Sequence, residues 1–102
     1  MKVIVTARHC DIDDELRERA VDLIERAAKR VSRPQRAEIV FDNDHNQKVV
    51  EFQLYVPRGI VHIASAEAAD FRTALDRTGD KLRNQLDKSP SQKDRRATVP
   101  EK

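Results

Sequence analysis

The spacing of apolar residues along the chain predicts two amphipathic helices. The first has Asp13 as its N-cap and runs to about Val31, with apolar residues recurring every three or four positions. The second begins near Ala69 or Asp70 and runs to about Lys88. The apolar stripes are Leu16, Ala20, Leu23, Ile24, Ala27 and Val31 in the first helix, and Phe71, Ala74, Leu75, Thr78, Leu82 and Leu86 in the second. Each helix therefore has a single face to bury.

Prolines and one glycine mark the limits of these patterns. The dipeptide Arg33-Pro34 is expected to end the first helix, because a residue before proline resists the α conformation. Ser89-Pro90 is expected to stop the second. Gly79 is unexpected within that helix, where it costs about 1 kcal/mol relative to alanine.

Four segments rich in β-branched residues predict strands. They span residues 2–7, 37–41, 49–56 and 60–64. In the third, the even-numbered apolar residues Val50, Phe52, Leu54 and Val56 alternate with Glu51, Gln53 and Tyr55, which predicts one buried face and one open face. Residues 42–47 are expected to form a polar turn, and Pro57-Arg58-Gly59 a tight reversal.

The element order is β-α-β-β-β-α, which predicts an α+β fold. The simplest way to bury both apolar stripes is to pack the two helices on one face of a four-stranded sheet. The chain has 102 residues, a length suited to one domain. We assign residues 1–88 to this domain and predict a disordered polar tail for residues 89–102, which have no apolar periodicity.

The net charge of +2 conceals a balance within the predicted domain. Residues 1–88 contain 16 Lys or Arg and 16 Asp or Glu, whereas residues 89–102 contain four basic and two acidic residues. The domain can therefore bind a polyanion only if its basic residues are separated in space from its acidic residues.

Helical projection arranges the basic residues of the helices in stripes beside the apolar faces. Arg19, Arg26 and Arg30 form one stripe on the first helix. On the second helix, Arg77, Lys81 and Lys88 form one stripe and Arg72 and Arg83 another on the opposite border, with Asp76, Asp80 and Asp87 on the outer face. Two basic stripes facing each other would grip a phosphate backbone. Alternatively, these side chains only cover the edges of the core with their aliphatic stems.

The residues do not form a recognisable catalytic or metal site. Gly59 and Gly79 are the only glycines, so there is no phosphate-binding glycine loop. Cys10 is the single cysteine, and the histidines lack the short spacings of zinc ligands. A small enzyme using Cys10 or His62 is the weakest alternative. His62 is expected to point away from its neighbours in the strand, either as an exposed residue or as a packed neutral imidazole. We expect no enzyme, cofactor, metal or small-molecule substrate.

The chain carries no predicted targeting or membrane segment. No apolar run approaches the 18 or more residues of a membrane span, and the first six residues lack the features of a signal peptide. These observations predict a cytoplasmic protein with no membrane partner.

Several short segments, in this order and spacing, resemble the ribosome hibernation promoting factor and ribosome-associated inhibitor family, also called the sigma-54 modulation or S30EA family. The resemblance covers roughly residues 2–88. The matching segments are Val3-Ile4-Val5-Thr6-Ala7-Arg8-His9, Ile12, Leu16-Arg17, Val56-Pro57-Arg58-Gly59, Ala64-Ser65-Ala66-Glu67, Asp70, Leu75-Asp76, Asp80-Lys81-Leu82, Gln85-Leu86 and Lys88.

The resemblance implies a fold similar to double-stranded-RNA-binding domains with an extra leading strand. It implies a stress or stationary-phase protein that binds the small ribosomal subunit between head and body, occupies the channel of mRNA and tRNA, contacts rRNA and blocks initiation. Arg8, Lys81 and Lys88 fall on matching basic positions. With the helix projection, the predicted rRNA-binding residues are Arg8, Arg19, Arg26, Arg30, Arg77, Lys81, Arg83 and Lys88.

The resemblance also carries expectations about form. The chain has no further C-terminal dimerisation domain, which predicts the short form of the family, monomeric when free. Arg72 stands where the family has an aromatic residue, and one residue near Ile63 is extra, which predicts a bulge in the last strand. The alternative function is a protein-interaction module of the same fold that does not bind ribosomes, uses an exposed sheet edge or face and shows weak salt dependence.

Overall fold

The computed structural model describes residues 1–88 and confirms the β-α-β-β-β-α fold. The elements are β1 (Lys2–Arg8), α1 (Asp14–Ala28), β2 (Arg36–Asp44), β3 (Gln47–Val56), β4 (Ile60–Ala68) and α2 (Phe71–Asp87). A short 3-10 turn, Pro57–Gly59, joins β3 to β4 at the predicted reversal. The prediction of a disordered tail at residues 89–102 lies outside the described residues.

The four strands form one sheet in the order β1-β2-β3-β4. β1 runs parallel to β2, with Lys2 opposite Arg36, and α1 provides the crossover between them. The remaining neighbours are antiparallel, and Phe52 of β3 lies between Ile39 of β2 and Ala64 of β4. β1 and β4 are therefore the two edges of the sheet.

The core lies between the two helices and one face of the sheet. Phe41 and Phe52 are fully buried in it, and the partly buried ring of Phe71 packs edge-on against it, with 5.5 Å between the centroids of Phe41 and Phe71. The largest fully buried side chains also include Ile24, Ile39, Val50, Leu54, Leu75 and Leu82. The even-numbered residues of β3 face this core, as their alternation predicted.

Both helices begin after an aspartate N-cap, Asp13 as predicted and Asp70 at the position where the second helix was predicted to begin. The carboxylate of Asp13 accepts a hydrogen bond from the Leu16 backbone N–H at 2.9 Å, and that of Asp70 accepts one from the Thr73 N–H at 2.9 Å. The backbone and hydroxyl hydrogen bonds from Thr73 lower the pKa of Asp70 below 3.8. An aspartate cap is preferred because it satisfies a backbone donor that the first turn leaves free.

Several predicted details of the elements were wrong. β2 extends to Asp44 and β4 to Ala68, beyond the predicted ends at residues 41 and 64. α1 ends at Ala28, short of Val31, because Arg30 and Val31 donate to the Ala27 and Ala28 carbonyls in tighter turns. The helix therefore stops before Pro34 can act. The predicted bulge near Ile63 is absent within the described strand, since Ile60–Ala68 pairs residue for residue with Lys48–Val56.

The helices of residues 1–88 also bear on the membrane prediction. None of them combines the length and the apolar character needed to cross a bilayer.

Candidate nucleic-acid interface

Two ion pairs join α1 to α2. Arg19 contacts the Asp76 carboxylate from Nη2 at 2.9 Å and from Nε at 3.0 Å, and Arg30 Nε contacts Asp87 Oδ1 at 2.8 Å. Gly79 lies on the side of α2 that packs against Leu23 of α1. Asp76 and Asp87 are on the same side of α2, so they lie beside the arginines of α1. The prediction that Asp76 and Asp87 occupy the outer face of α2 was wrong.

Two further basic residues of the helices pair with acids on their own helix. Arg26 contacts Asp22, one turn before it, at 3.1 Å, and Arg83 contacts Asp80 at 2.5 Å. These pairs are largely exposed and such pairs contribute about 0.2–1 kcal/mol. Four of the predicted rRNA-binding arginines thus carry a carboxylate beside the guanidinium.

Arg77 and Lys81 have a different environment, on the side of α2 that faces β4. Arg77 Nη1 donates to the Glu67 carbonyl at 3.1 Å, and Lys81 Nζ donates to the Ser65 carbonyl at 2.9 Å. Carbonyls are neutral acceptors, so both side chains keep a full positive charge. They border a shallow groove of about 510 Å³ whose other lining residues are Val49, Ser65, Ala66, Glu67 and Asp80.

Of the two predicted stripes on α2, the one that contains Arg77 and Lys81 does not face the stripe on α1. Arg19 and Arg30 lie on one side of α2, whereas Arg77 and Lys81 lie on the other, against the edge strand. The other predicted stripe, Arg72 and Arg83, is one turn before Asp76 and Asp87 and so lies on the side of α2 that faces α1. Helical spacing gives the angle of a residue around its own axis but does not say which neighbour that side meets.

The remaining two predicted site residues lie at opposite ends of the sheet. Lys88 is exposed at the C-cap of α2. Arg8 is exposed at the end of β1, opposite Asp42 of β2. Asp42 accepts a hydrogen bond from His9 Nδ1 at 3.1 Å, and this contact, followed by that from the Asn43 N–H, lowers the pKa of Asp42 below 3.8. Arg8 thus lies beside a carboxylate and far from Lys88.

The helix-free face of the sheet carries an arrangement that helical projection missed. The Arg36 guanidinium lies 4.2 Å from the centroid of the Tyr55 ring. The Tyr55 hydroxyl donates to Gln53 at 2.8 Å, and the Gln53 amide donates to Glu51 at 2.5 Å. Tyr55 faces away from the helices, as its alternation predicted. The signal for the stack was the register that sets Arg36 opposite Tyr55.

His62 is a packed imidazole. It is 4% exposed, and within residues 1–88 its Nε2 atom has no hydrogen-bond partner. Burial lowers its pKa below 6.5, so the ring is neutral at pH 7. Of the two environments that the sequence left open, the structure contains the packed one.

Cys10 and His62 do not form a catalytic pair. Cys10 follows the end of edge strand β1, whereas His62 lies near the start of the other edge strand, β4. The Cys10 thiol donates to the Phe41 carbonyl at 3.6 Å, and burial raises its pKa above 9.0, which opposes thiolate formation. No group of three or more His, Cys, Asp or Glu within residues 1–88 is arranged to hold a metal ion.

A four-stranded sheet backed by two helices, with charged cations along one border of α2, defines a small α+β binding domain. A family model described as sigma 54 modulation protein / S30EA ribosomal protein matches residues 3–95. The chain therefore belongs to this family, which consists of ribosome-associated factors and not of enzymes, as the sequence predicted.

Individual relatives agree with this family. The chain is 28% identical over 88 residues to a ribosome hibernation promoting factor from Pseudomonas putida, covering 86% of this chain and 85% of that protein. It is similar to the structure of a ribosomal subunit interface protein from Coxiella burnetii, with a TM-score of 0.71, 27% identity and coverage of 89% of this chain and 99% of the other. The N-terminal domain of Protein Y from Thermus thermophilus shares the fold, with a TM-score of 0.72, 22% identity and coverage of 86% and 98%.

Proposed function

We propose that this protein is a ribosome hibernation factor. It binds the small subunit between head and body, occupies the channel used by mRNA and tRNA, and blocks initiation under stress. The observation that carries this proposal is the end-to-end match to the Pseudomonas putida hibernation promoting factor, which spans 86% of this chain and 85% of that protein. The protein is monomeric when free and acts in the cytoplasm, where its target is found.

The rRNA contacts are made mainly by cations that form no ion pair with a carboxylate among residues 1–88. Arg77 and Lys81 are held by backbone carbonyls, and Lys88 is exposed at the end of α2. Such side chains neutralise phosphates and release counterions. A-form RNA is recognised mostly through its backbone and shape, which suits a surface of lysines and arginines without an aromatic platform.

The other predicted contacts require an exchange of partners. Arg19, Arg26, Arg30 and Arg83 leave their aspartates and bind phosphate instead, and Arg8 joins from the end of β1. This exchange costs little, because exposed ion pairs contribute about 0.2–1 kcal/mol each. These five residues therefore add to binding once Arg77, Lys81 and Lys88 have engaged.

Co-sedimentation with purified small subunits and whole ribosomes tests the proposal. We expect stoichiometric co-migration that falls steeply between about 50 and 200 mM KCl, since each phosphate contact steepens the salt dependence. Small subunits preloaded with mRNA and initiator tRNA should exclude the protein, whereas empty subunits should bind it. Absence of co-migration at low salt would overturn ribosome binding, and equal binding to loaded subunits would overturn the channel position.

A second candidate function is protein interaction through the edge of β4. Ile60, Val61 and Ile63 are 40%, 36% and 52% exposed. Lys81 and Arg77 cover the outward carbonyls of Ser65 and Glu67, which leaves the start of the strand as the open part of this edge. An exposed apolar edge strand is suited to pairing with a strand of another protein.

Two double variants distinguish the candidates in the same co-sedimentation assay. Strand pairing with another protein, without ribosome binding, predicts no co-migration at any KCl concentration. The ribosomal RNA proposal predicts co-migration that falls with KCl, that Arg77→Gln with Lys81→Gln weakens, and that Val61→Lys with Ile63→Lys leaves intact.

A further inference from the structure

The topology gathers six element ends at each end of the domain. The starts of β1, β2 and β4 lie beside the ends of β3, α1 and α2 at one end, because β3 is antiparallel to its neighbours and each helix returns along the sheet. The other ends meet at the opposite side. With β3 ten residues long, the two ends are separated by about 33 Å.

Charge is divided between these two ends. When each element is cut near its middle, one half of the domain consists of residues 1–4, 22–39, 52–63 and 80–88, and it contains ten Lys or Arg and five Asp or Glu. The other half contains six Lys or Arg and eleven Asp or Glu. The balanced charge of residues 1–88 is therefore the sum of a positive half and an equally negative half.

Six exposed cations lie at the outer end of the positive half, and we call them the basic pole. They are Lys2, Lys29, Arg33, Arg36, Arg58 and Lys88. Arg36 contacts Glu38 at 3.3 Å, and the other five have no acidic partner within ion-pair distance among the described residues. Among the six, then, the positive charge is largely uncompensated.

Helix dipoles account for only part of this arrangement. Cations at helix C-termini are favourable, which explains Lys29 and Lys88 as capping residues. Arg33 and Arg58, in contrast, lie in loops with left-handed backbone, at φ 55° and 76°. Glycine or asparagine is favoured in that conformation, so local stability does not explain an arginine at either position.

We propose that the basic pole is an RNA-contact surface that extends beyond the border of α2 that faces β4, which it meets at Lys88, and that it binds a phosphate backbone. The inference rests on the proposed function, which supplies ribosomal RNA as the ligand. The separated charges orient the protein in the field of RNA so that this end approaches first.

Two double variants with the same change in net charge test the proposal. Lys29→Gln with Arg58→Gln removes charge at the basic pole, and Arg17→Gln with Arg72→Gln removes it from exposed positions in the negative half. Binding to an RNA duplex of about 16 base pairs is measured by fluorescence anisotropy over a KCl series, together with ribosome co-sedimentation. We expect about tenfold weaker binding for the pole variant, with a shallower salt dependence, and less than a twofold change for the control.

The outcomes separate this inference from the proposed function. Equal losses of binding in both variants would mean that only net charge matters, and this would overturn the proposal that the basic pole binds RNA. Unchanged binding by the pole variant would also overturn it. If ribosome binding persists in that case, the proposed function stands without the pole. If the wild type binds the duplex through the pole but does not bind ribosomes, the inference stands and the proposed function fails. Lys2→Gln with Arg33→Gln provides a second pole variant if the first unfolds.

Discussion

The two borders of α2 carry similar numbers of charged residues and yet present different charges to solvent. On the border that faces α1, Asp76 and Asp87 lie against Arg19 and Arg30. On the border that faces β4, Arg77 and Lys81 lie against backbone carbonyls. A basic residue is available to a phosphate only when its own neighbours have not neutralised it. The partner of a cation, and not its presence in a stripe, therefore decides where RNA is expected to bind.

The largest expected effect comes from the border that faces β4. Arg77→Gln with Lys81→Gln should weaken ribosome binding at least about tenfold, because two unneutralised cations are lost. The matched change Arg19→Gln with Arg30→Gln should weaken it less than about threefold, because each arginine already has a carboxylate partner. Co-sedimentation at constant KCl gives both values. Equal losses would remove the distinction between the two borders.

The opposite change removes the carboxylate charges that pair with Arg19 and Arg30 on the border that faces α1. Asp76→Asn with Asp87→Asn keeps the shape of both side chains and removes their charge, so we expect about fivefold tighter ribosome binding and a steeper salt dependence. The control Asp11→Asn with Glu25→Gln makes the same change in net charge away from any arginine of this border. Equal tightening in both variants would contradict a local effect.

As the pH falls from neutral, the free energy of unfolding should change first through His62, which lies in β4. Burial lowers the pKa of His62, so below about pH 6.5 the unfolded chain binds a proton that the folded protein excludes. The free energy of unfolding should therefore fall as the pH drops from 6.5, and His62→Leu should flatten this dependence. Urea denaturation from pH 7.5 to 5 measures it. The carboxyls of Asp42 and Asp70 contribute in a lower range, because both pKa values lie below 3.8.

The smallest expected effect concerns the contact beneath the α1 border. A Cβ atom added to Gly79 would lie 3.6–3.7 Å from the Leu23 side chain, which is ordinary contact. Gly79→Ala should therefore raise the free energy of unfolding by about 0.5–1 kcal/mol through helix propensity. Thermal denaturation tests the change, and ribosome binding should stay constant. A loss of stability would contradict the space that the structure leaves for a methyl group at this contact.

Much of the fold could be predicted because the signals are local. The cap at Asp13, the start of the second helix near Asp70 and the alternation from Val50 to Val56 each depend on residues within one element. The segment from Asp42 to Asp44 was misassigned as part of a polar turn. It is the end of β2, because its register with Gln47–Val49 and the turn at His45 and Asn46 outweigh the low strand propensity of Asp and Asn.

The candidate site was less predictable because it depends on packing. The projection correctly grouped Arg19 with Arg30 and Arg77 with Lys81, since helical periodicity determines these neighbours. It could not determine that α2 lies between α1 and β4. The carboxylate partners of Arg19 and Arg30 and the carbonyl partners of Arg77 and Lys81 therefore could not be predicted. The basic pole was missed for a related reason. Its members come from strands, loops and helix ends that only the tertiary fold brings together.

The parallel pairing of β1 has a consequence for how the protein assembles. β2 and β3 are joined by a two-residue turn in which His45 and Asn46 have φ of 52° and 69°, so this hairpin closes through very local contacts. β1 can pair only after α1 and β2 are available, because α1 separates β1 from its partner β2 in the sequence. As the nascent chain leaves the ribosome with its N-terminus first, β1 emerges earliest and pairs late. We expect its docking to limit the folding rate, since the closure of long loops is the slow step in such topologies.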